Sequence, residues 1–233
     1  MESLRLNKFL AQSLGISRRD ADDLIVSGIV SVDGKKAVLG QQVDKTSKVC
    51  YNGKIIPFEK AEEFLYVALN KPVGYVCSRK QQGENPTIYE LLPAKYQKLK
   101  TVGRLDKDSS GLILLTNDGD FAFQMTHPKF LKTKVYDVEL DRPLEPLHQQ
   151  MIADFGVEIG DGVSKLGLTR LNDERTKFEV SMSEGRNRQI RRTFQALGYS
   201  VRKLHRKTFG KFELSDLESG KYSEINLRSQ NQS

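Results

Sequence analysis

Apolar residues recur at Leu6, Phe9, Leu10 and Leu14, a single helical stripe, and Gly15 suits the end of that helix. Ser17 is placed to cap a second helix, with Asp20 three residues on in the manner of a capping box. Ala21, Leu24 and Ile25 give this second helix its buried face. Beyond Gly28, residues 29–32 read as a strand, and Asp33-Gly34 is a strong hairpin signal. A second turn, Asn52-Gly53, separates residues 49–51 from residues 55–56. Residues 57–63 are charged and poor in core formers, which predicts a linker. The pattern then resumes as an apolar strand over 64–69, stopped by Pro72 and Gly74. Further strands are predicted at 111–116, 134–140 and 177–182, the last two alternating in polarity as a sheet with one face on a core requires. Helices are predicted at 120–125, 147–155 and 188–197. Strands and helices do not alternate regularly, so the expected class is α+β. Two domains are expected. Residues 1–60 form a small unit of two helices plus β-hairpins, and residues 64–233 carry a mixed, largely antiparallel sheet flanked by helices. A polar tail closes the chain at 229–233, and no internal repeat is present.

Composition narrows the function classes. The chain has 233 residues, 38% of them hydrophobic and 29% charged, enough for cores and a solvated surface. No run of 18 apolar residues is present and the first five residues lack a signal-peptide stretch, so a cytoplasmic protein with no membrane partner is expected. Cys50 and Cys77 show no metal or redox spacing. His127, His148 and His205 are scattered, and no glycine loop is arranged to cradle phosphate, so neither metal nor cofactor is expected. The net charge of +7 points to a polyanionic partner. Residues 186–211 hold many Arg and Lys and no Asp or Glu, which favours phosphate contact. Arg5, Lys8, Arg18 and Arg19 fall at or near the ends of the first two helices, where a phosphate backbone could be met; the plainer alternative is a surface balanced by Asp20, Asp22 and Asp23.

The chemistry concentrates in residues 102–119, Val-Gly-Arg-Leu-Asp-Lys-Asp-Ser-Ser-Gly followed by Leu-Ile-Leu-Leu-Thr-Asn-Asp-Gly. A charged, glycine-bounded loop running into an apolar strand can hold a carboxylate rigidly at a sheet edge. Local pattern alone supports no more than that.

Two resemblances extend this reading. Residues 4–60 resemble an S4 domain, a small RNA-binding module, through Arg5-Leu6-Asn7-Lys8-Phe9-Leu10, Ser17-Arg18-Arg19 and Val32-Asp33-Gly34-Lys35. Residues 102–119 resemble the signature of pseudouridine synthases, in particular the ribosomal RNA branch containing RsuA, RluB, RluE and RluF, which couples an S4 domain to the catalytic domain in this order. The resemblance implies an isomerase that breaks the C1′–N1 bond of a uridine, turns the base and joins C1′ to C5. It makes Asp106, after Arg104-Leu105, the nucleophile and leaves Asp108 a loop role; Asp118 and Asp120 read as caps. Asn70-Lys71-Pro72-Val73-Gly74-Tyr75 matches a first motif that shapes the site. Lys134-Val135-Tyr136 matches a Lys-x-Tyr motif that sets Tyr136 against the flipped base, where an aromatic ring can stack. Residues 184–192 match a third motif in which Arg191 is expected to pair with the catalytic carboxylate, lowering its pKa. Arg104 is implied to hold the extruded nucleotide or fill its place, and Arg188 is expected on the RNA. Whether Asp106 attacks C1′ or C6 is left open. The implied partner is ribosomal RNA or a pre-ribosomal particle, with the protein a monomer. Residues 75–78 resemble the small-subunit enzyme and residues 186–192 the large-subunit members, giving large-subunit RNA a slight preference. A non-catalytic S4-type assembly factor would explain the charge but not the Asp, Tyr and Arg set. A methyltransferase would need a glycine motif for a nucleotide cofactor, which is absent.

Overall fold

Local signals close each element of the first unit. In the computed structural model, which describes residues 3–58, 63–79 and 82–227, strand β1 (Leu4–Arg5) runs directly into helix α1 (Leu6–Leu14). Gly15, at φ 67°, ends that helix by donating its N–H to the Ala11 carbonyl. Ser17 and Asp20 exchange reciprocal hydrogen bonds, both 3.1 Å, at the start of α2 (Arg18–Val26). There follow β2 (Val30–Val32), β3 (Lys35–Lys36), β4 (Gln42–Val43), β5 (Val49–Tyr51) and β6 (Lys54–Ile55). Strands β3-β2-β5-β6 form an antiparallel sheet, while β1 pairs with β4. Asp33, Gly34, Asn52 and Gly53 all take positive φ, as two-residue hairpin turns whose twist matches the flanking strands require. Leu6, Phe9, Leu10, Ala21 and Ile25 from the helices meet Val30, Val32 and Val49 in one core. The chain divides into two compact units, 1–63 and 64–233. Most of the expected linker (59–62) and the whole of the expected polar tail lie outside the described residues.

The second unit is built on β7 (Tyr66–Lys71), β8 (Lys100–Val102), β9 (Ser110–Thr116), α3 (Gly119–Thr126), β10 (Lys134–Leu140), α4 (Pro146–Gln150), β11 (Val157–Glu158), β12 (Val163–Ser164), β13 (Gly167–Arg170), β14 (Lys177–Met182), α5 (Gln189–Ala196), β15 (Val201–Phe209), β16 (Phe212–Glu213) and β17 (Tyr222–Glu224). The main sheet runs β13-β14-β10-β15-β9-β7-β17, with β8 added to β9 and β16 to β15. It is mixed and largely antiparallel. Among the described residues, β9 with β15 is its one parallel pairing, through Ser110 with His205 and Gly111 with Arg206. Strand β9 is apolar from Leu112 to Leu115 because both its faces are covered: Ile113 and Leu115 enter one core, Leu112 and Leu114 the other. The helix expected over 147–155 is α4 continued by a wider π-turn, Met151–Phe155, which Gly156 closes with a 2.7 Å bond to the Met151 carbonyl.

Strand β15 did not stand out in the sequence. A bulge explains why: Val135 faces Thr208 but Tyr136 faces Arg206, so one β15 residue is skipped and the period of two breaks. The buried positions become Leu204, Arg206 and Phe209. Gly111 has a strict role at the parallel pairing. Its φ is +104°, and a Cβ there would lie 2.3 Å from the Arg206 carbonyl oxygen.

Candidate active site

The loop between β8 and β9, residues 103–109, carries Asp106, and the turn after β7 holds that loop by its backbone. Lys71, the last residue of β7, has no solvent exposure. Its Nζ donates to the carbonyls of Ser109 at 2.6 Å, Pro72 at 3.0 Å and Lys107 at 3.4 Å. Gly74 N–H adds a 2.8 Å bond to the Lys107 carbonyl, and Ser109 N–H closes the loop onto the Asp106 carbonyl at 3.1 Å. Leu105 anchors the loop in the core, its N–H directed at Cys77 Sγ at 3.5 Å. Burial pushes the Lys71 ammonium down from its ordinary pKa, against the opposing pull of Cys77, Asp106 and Asp108.

Asp106 opens onto a cavity of about 490 Å³ whose walls include Arg104, Lys134, Tyr136, Arg188 and Arg206. Arg188 makes the ion pair with Asp106, Nη1 to Oδ2 at 3.4 Å, and lies 3.8 Å from Asp108. Arg188 caps α5 from the left-handed region, φ 48° and ψ 31°, a conformation that side chains other than glycine adopt at a cost. Arg191, expected to pair with the carboxylate, has its hydrogen bonds elsewhere, though the charge of Asp106 still acts on it. Arg191 lies inside the first turn of α5, where two carbonyls take its guanidinium: Nη1 to Val201 at 2.7 Å and Nη2 to Asp108 at 2.8 Å. Arg191 therefore holds the loop's backbone, and Arg188, just outside the helix, is the residue turned toward Asp106. Asp108 offers its carbonyl to Arg191 while its carboxylate stays exposed, consistent with a loop role.

Tyr136 and Lys134 stand on the same face of β10. Tyr136 is buried in the main core and lines the cavity. Lys134 Nζ reaches the carbonyls of Lys132 and Glu184, both at 3.2 Å, and Ser183 at 3.5 Å. Burial, then the nearby Arg206 charge, push its pKa down to about 8. Arg206 was not anticipated from the sequence, hidden in a run of basic residues. It is buried, donates from Nε to the Leu112 carbonyl at 2.7 Å and sits 5.0 Å from the Phe209 ring centre. Its Nη2 is buried with no partner among the described residues, and the residue forms part of the cavity wall. The signal that could have found it was the spacing of Leu204, Arg206 and Phe209 once a bulge is allowed.

The remaining expected residues divide between the units. Arg104 is exposed at the cavity wall. In the first unit, Arg5 precedes α1 while Arg18 and Arg19 open α2, all three exposed; Lys8 is half-buried on α1. Arg18 bonds Asn7 at 3.2 Å, which in turn bonds Asp22 at 2.9 Å, tying the two helices together. The acid-free segment 186–211 is less one-sided in space than in sequence. Arg186 meets Asp161 and Glu184, Arg192 meets Asp161 at 2.7 Å, and Lys207 meets Glu179 and Asp137. Among the described residues no group of His, Cys, Asp and Glu could hold a metal ion, and no helix is long and apolar enough to cross a membrane.

Comparison with known proteins places these features among relatives. Residues 65–196 match the model of the family described as RNA pseudouridylate synthase, and residues 4–49 match the S4 domain. The chain is 37% identical over 225 residues to the ribosomal small subunit pseudouridine synthase A of Pasteurella multocida, covering 95% of this chain and 96% of that protein. It is 37% identical over 224 residues to the dual-specificity RNA pseudouridine synthase RluF of Escherichia coli K12, covering 96% of this chain and 76% of the relative. A solved structure described as a pseudouridylate synthase superposes with a TM-score of 0.69 at 32% identity, covering 98% of this chain and 99% of that one.

Proposed function

We propose that this chain, which belongs to the RNA pseudouridine synthase family and is an enzyme of that class, converts a uridine of ribosomal RNA to pseudouridine by nucleophilic attack of Asp106 on a flipped-out nucleotide. One observation carries the reading: Asp106, on a loop braced through its backbone, lines the same space of about 490 Å³ as the buried aromatic Tyr136 and is paired with Arg188. A carboxylate can attack carbon covalently, and the Arg188 guanidinium 3.4 Å away helps to orient this one. The uridine has to leave its stack to reach it, and the ring of Tyr136 offers a surface for the extruded base. Arg104, exposed at the rim, suits contact with the strand the base has left. Arg191 supports the site through the carbonyl of Asp108, and Arg206 contributes to the cavity wall while its Nε holds the Leu112 carbonyl. In the first unit Arg5, Lys8, Arg18 and Arg19 supply cations suited to phosphate contacts.

Large-subunit RNA is the proposed target, on the likeness of residues 186–192 to the large-subunit members. The test is incubation of wild type and Asp106→Ala with uridine-labelled ribosomal RNA of each subunit, followed by separation of pseudouridine. Product from wild type and none from the variant, with RNA binding largely retained, is expected. Product at the wild-type rate from the variant would remove Asp106 from the nucleophile's role. Product confined to small-subunit RNA, as the name of the Pasteurella relative would suggest, would overturn the choice of subunit alone.

A further inference from the structure

Beside the cavity the chain exposes aromatic rings that no core uses. Phe123 on α3 is 47% exposed, and Phe130, at the end of the 3-10 turn that follows α3, is 36% exposed. Their ring centres lie 5.8 Å apart, edge to face, and His127 packs beside them, 4.7 Å from Phe123 and 6.4 Å from Phe130. The Lys129 ammonium sits over both phenylalanines, 5.3 Å and 4.7 Å from their centres. The cluster is held in place from beneath. Met125 is buried in the second core, and Lys129 N–H bonds His127 Nδ1 at 3.3 Å. It also adjoins the site: Thr126 and Pro128 line the cavity, and a Cβ at Gly103 would lie 3.6 Å from Thr126 Cγ2.

We propose that Phe123, His127, Phe130 and Lys129 form a stacking ledge for the unpaired nucleotides flanking the target uridine. Exposed rings beside a cation match the two things a single strand presents, base faces and phosphates. A protein partner's apolar surface would leave the Lys129 charge unmatched. The ledge is also continuous with the cavity that the proposed reaction assigns to the uridine, and the inference rests on that reading for its choice of occupant. A nucleotide stacked there would keep the strand unwound at the cavity mouth, so that extrusion of the target base starts from a partly unstacked segment.

The test uses the full chain and a fluorescein-labelled decauridylate, with affinity measured by anisotropy across a series of salt concentrations. The double variant Phe123→Ala with Phe130→Ala is expected to bind at least about tenfold more weakly, because each stacked base is worth about fivefold or more in affinity. Phe123→Tyr with Phe130→Tyr is expected to bind within about twofold of wild type, since the ring face is kept. The salt slope is expected to be unchanged in both, because no phosphate contact is removed. Wild-type affinity in the alanine pair, equal weakening in the tyrosine pair, or a loss explained by a smaller salt slope would each overturn the ledge; the first would leave these rings as a surface for another partner. Phe123→Ala alone, at a half-exposed position, provides the same reading should the double variant fold poorly. If wild type forms no pseudouridine on either ribosomal RNA, the proposed reaction fails, while the decauridylate measurement still decides the ledge.

Discussion

Replacing Lys71 by methionine tests the claim that the turn after β7 holds the loop of Asp106. Methionine follows the lysine side chain out to Cε, with sulfur in place of Cδ, and lacks the ammonium. Two of the three bonds it makes are well formed, 2.6 Å to Ser109 and 3.0 Å to Pro72, and the third, to Lys107, is long at 3.4 Å. Hydrogen bonds from a charged donor contribute about 1.5–3 kcal/mol each, so the two good ones amount to roughly 3–6 kcal/mol. Part of this is returned, since burial disfavours the charged form of Lys71 and methionine fills the same space without that cost. A net loss of about 2–4 kcal/mol is expected. For a unit the size of residues 64–233, that lowers the midpoint of thermal unfolding by roughly 4–16 °C. Differential scanning calorimetry reads the shift directly. Below the lowered midpoint, turnover should still fall at least about tenfold, because a loop displaced by about an ångström misplaces the carboxylate proposed to react, while the affinity for RNA changes little. A variant as stable as wild type, or more so, would show that the buried ammonium is no more than a tolerated burden. Reduced stability with unchanged turnover would separate the brace from the chemistry.

Other outcomes follow from single observations. Gly111→Ala combines a positive φ with a 2.3 Å approach to the Arg206 carbonyl; strain and overpacking together should cost roughly 2–6 kcal/mol, seen as a lower urea midpoint. At Arg188 the two small replacements should differ: both lose the Asp106 ion pair and with it activity, but Arg188→Gly relieves the left-handed backbone and should be about 1 kcal/mol more stable than Arg188→Ala. The reverse order in urea melts would contradict the strained cap. Lys134 titrates at about 8 in the folded chain against an ordinary 10.5. Below pH 8 both states carry the proton and the burial cost is present in full; between pH 8 and 10.5 the unfolded state holds more protons, so stability rises with pH through that window. Lys134→Met should flatten that rise when the two proteins are melted across the same pH series.

How far the sequence could be read depended on whether a residue's role was set by its neighbours in the chain. Strands β10 and β14 were visible residue for residue because polarity alternates along all of β14 and along β10 from Tyr136 onward. The Ser17 and Asp20 cap and the turns at Asp33-Gly34 and Asn52-Gly53 are equally local. Strand β15 was not, since its bulge opposite Tyr136 breaks the alternation and places Arg206 where a hydrophobe is expected. Asp106 was identifiable as a loop carboxylate, and its assigned role came from family likeness. Which arginine would face it was not legible, because that depends on helix α5 starting at Gln189 and leaving Arg188 outside. The acidic neighbours of residues 186–211 were likewise not visible from the segment itself: Asp161, Glu179 and Glu184 reach it from outside. Lys71 appeared within a motif but without a role, since the carbonyls of Lys107 and Ser109 lie 36 and 38 residues further on.

The parallel pairing of β9 with β15 sets the order in which the molecule can become an enzyme. Antiparallel partners such as β8 and β9, or β13 and β14, are close in sequence and can find each other early. The seam that unites Asp106's loop with the strand bearing Arg206 joins residues 95 apart, as the Ser110 and His205 contact records. On a growing chain, the loop bearing Asp106 is therefore made well before the surfaces that complete its cavity, and its carboxylate faces water until β15 arrives. Pulsed hydrogen exchange during refolding should find the amides of the β9–β15 seam protected last, together with the appearance of activity. A folding intermediate with most of its sheet would then be catalytically silent, so the cell meets a reactive site only in a finished protein.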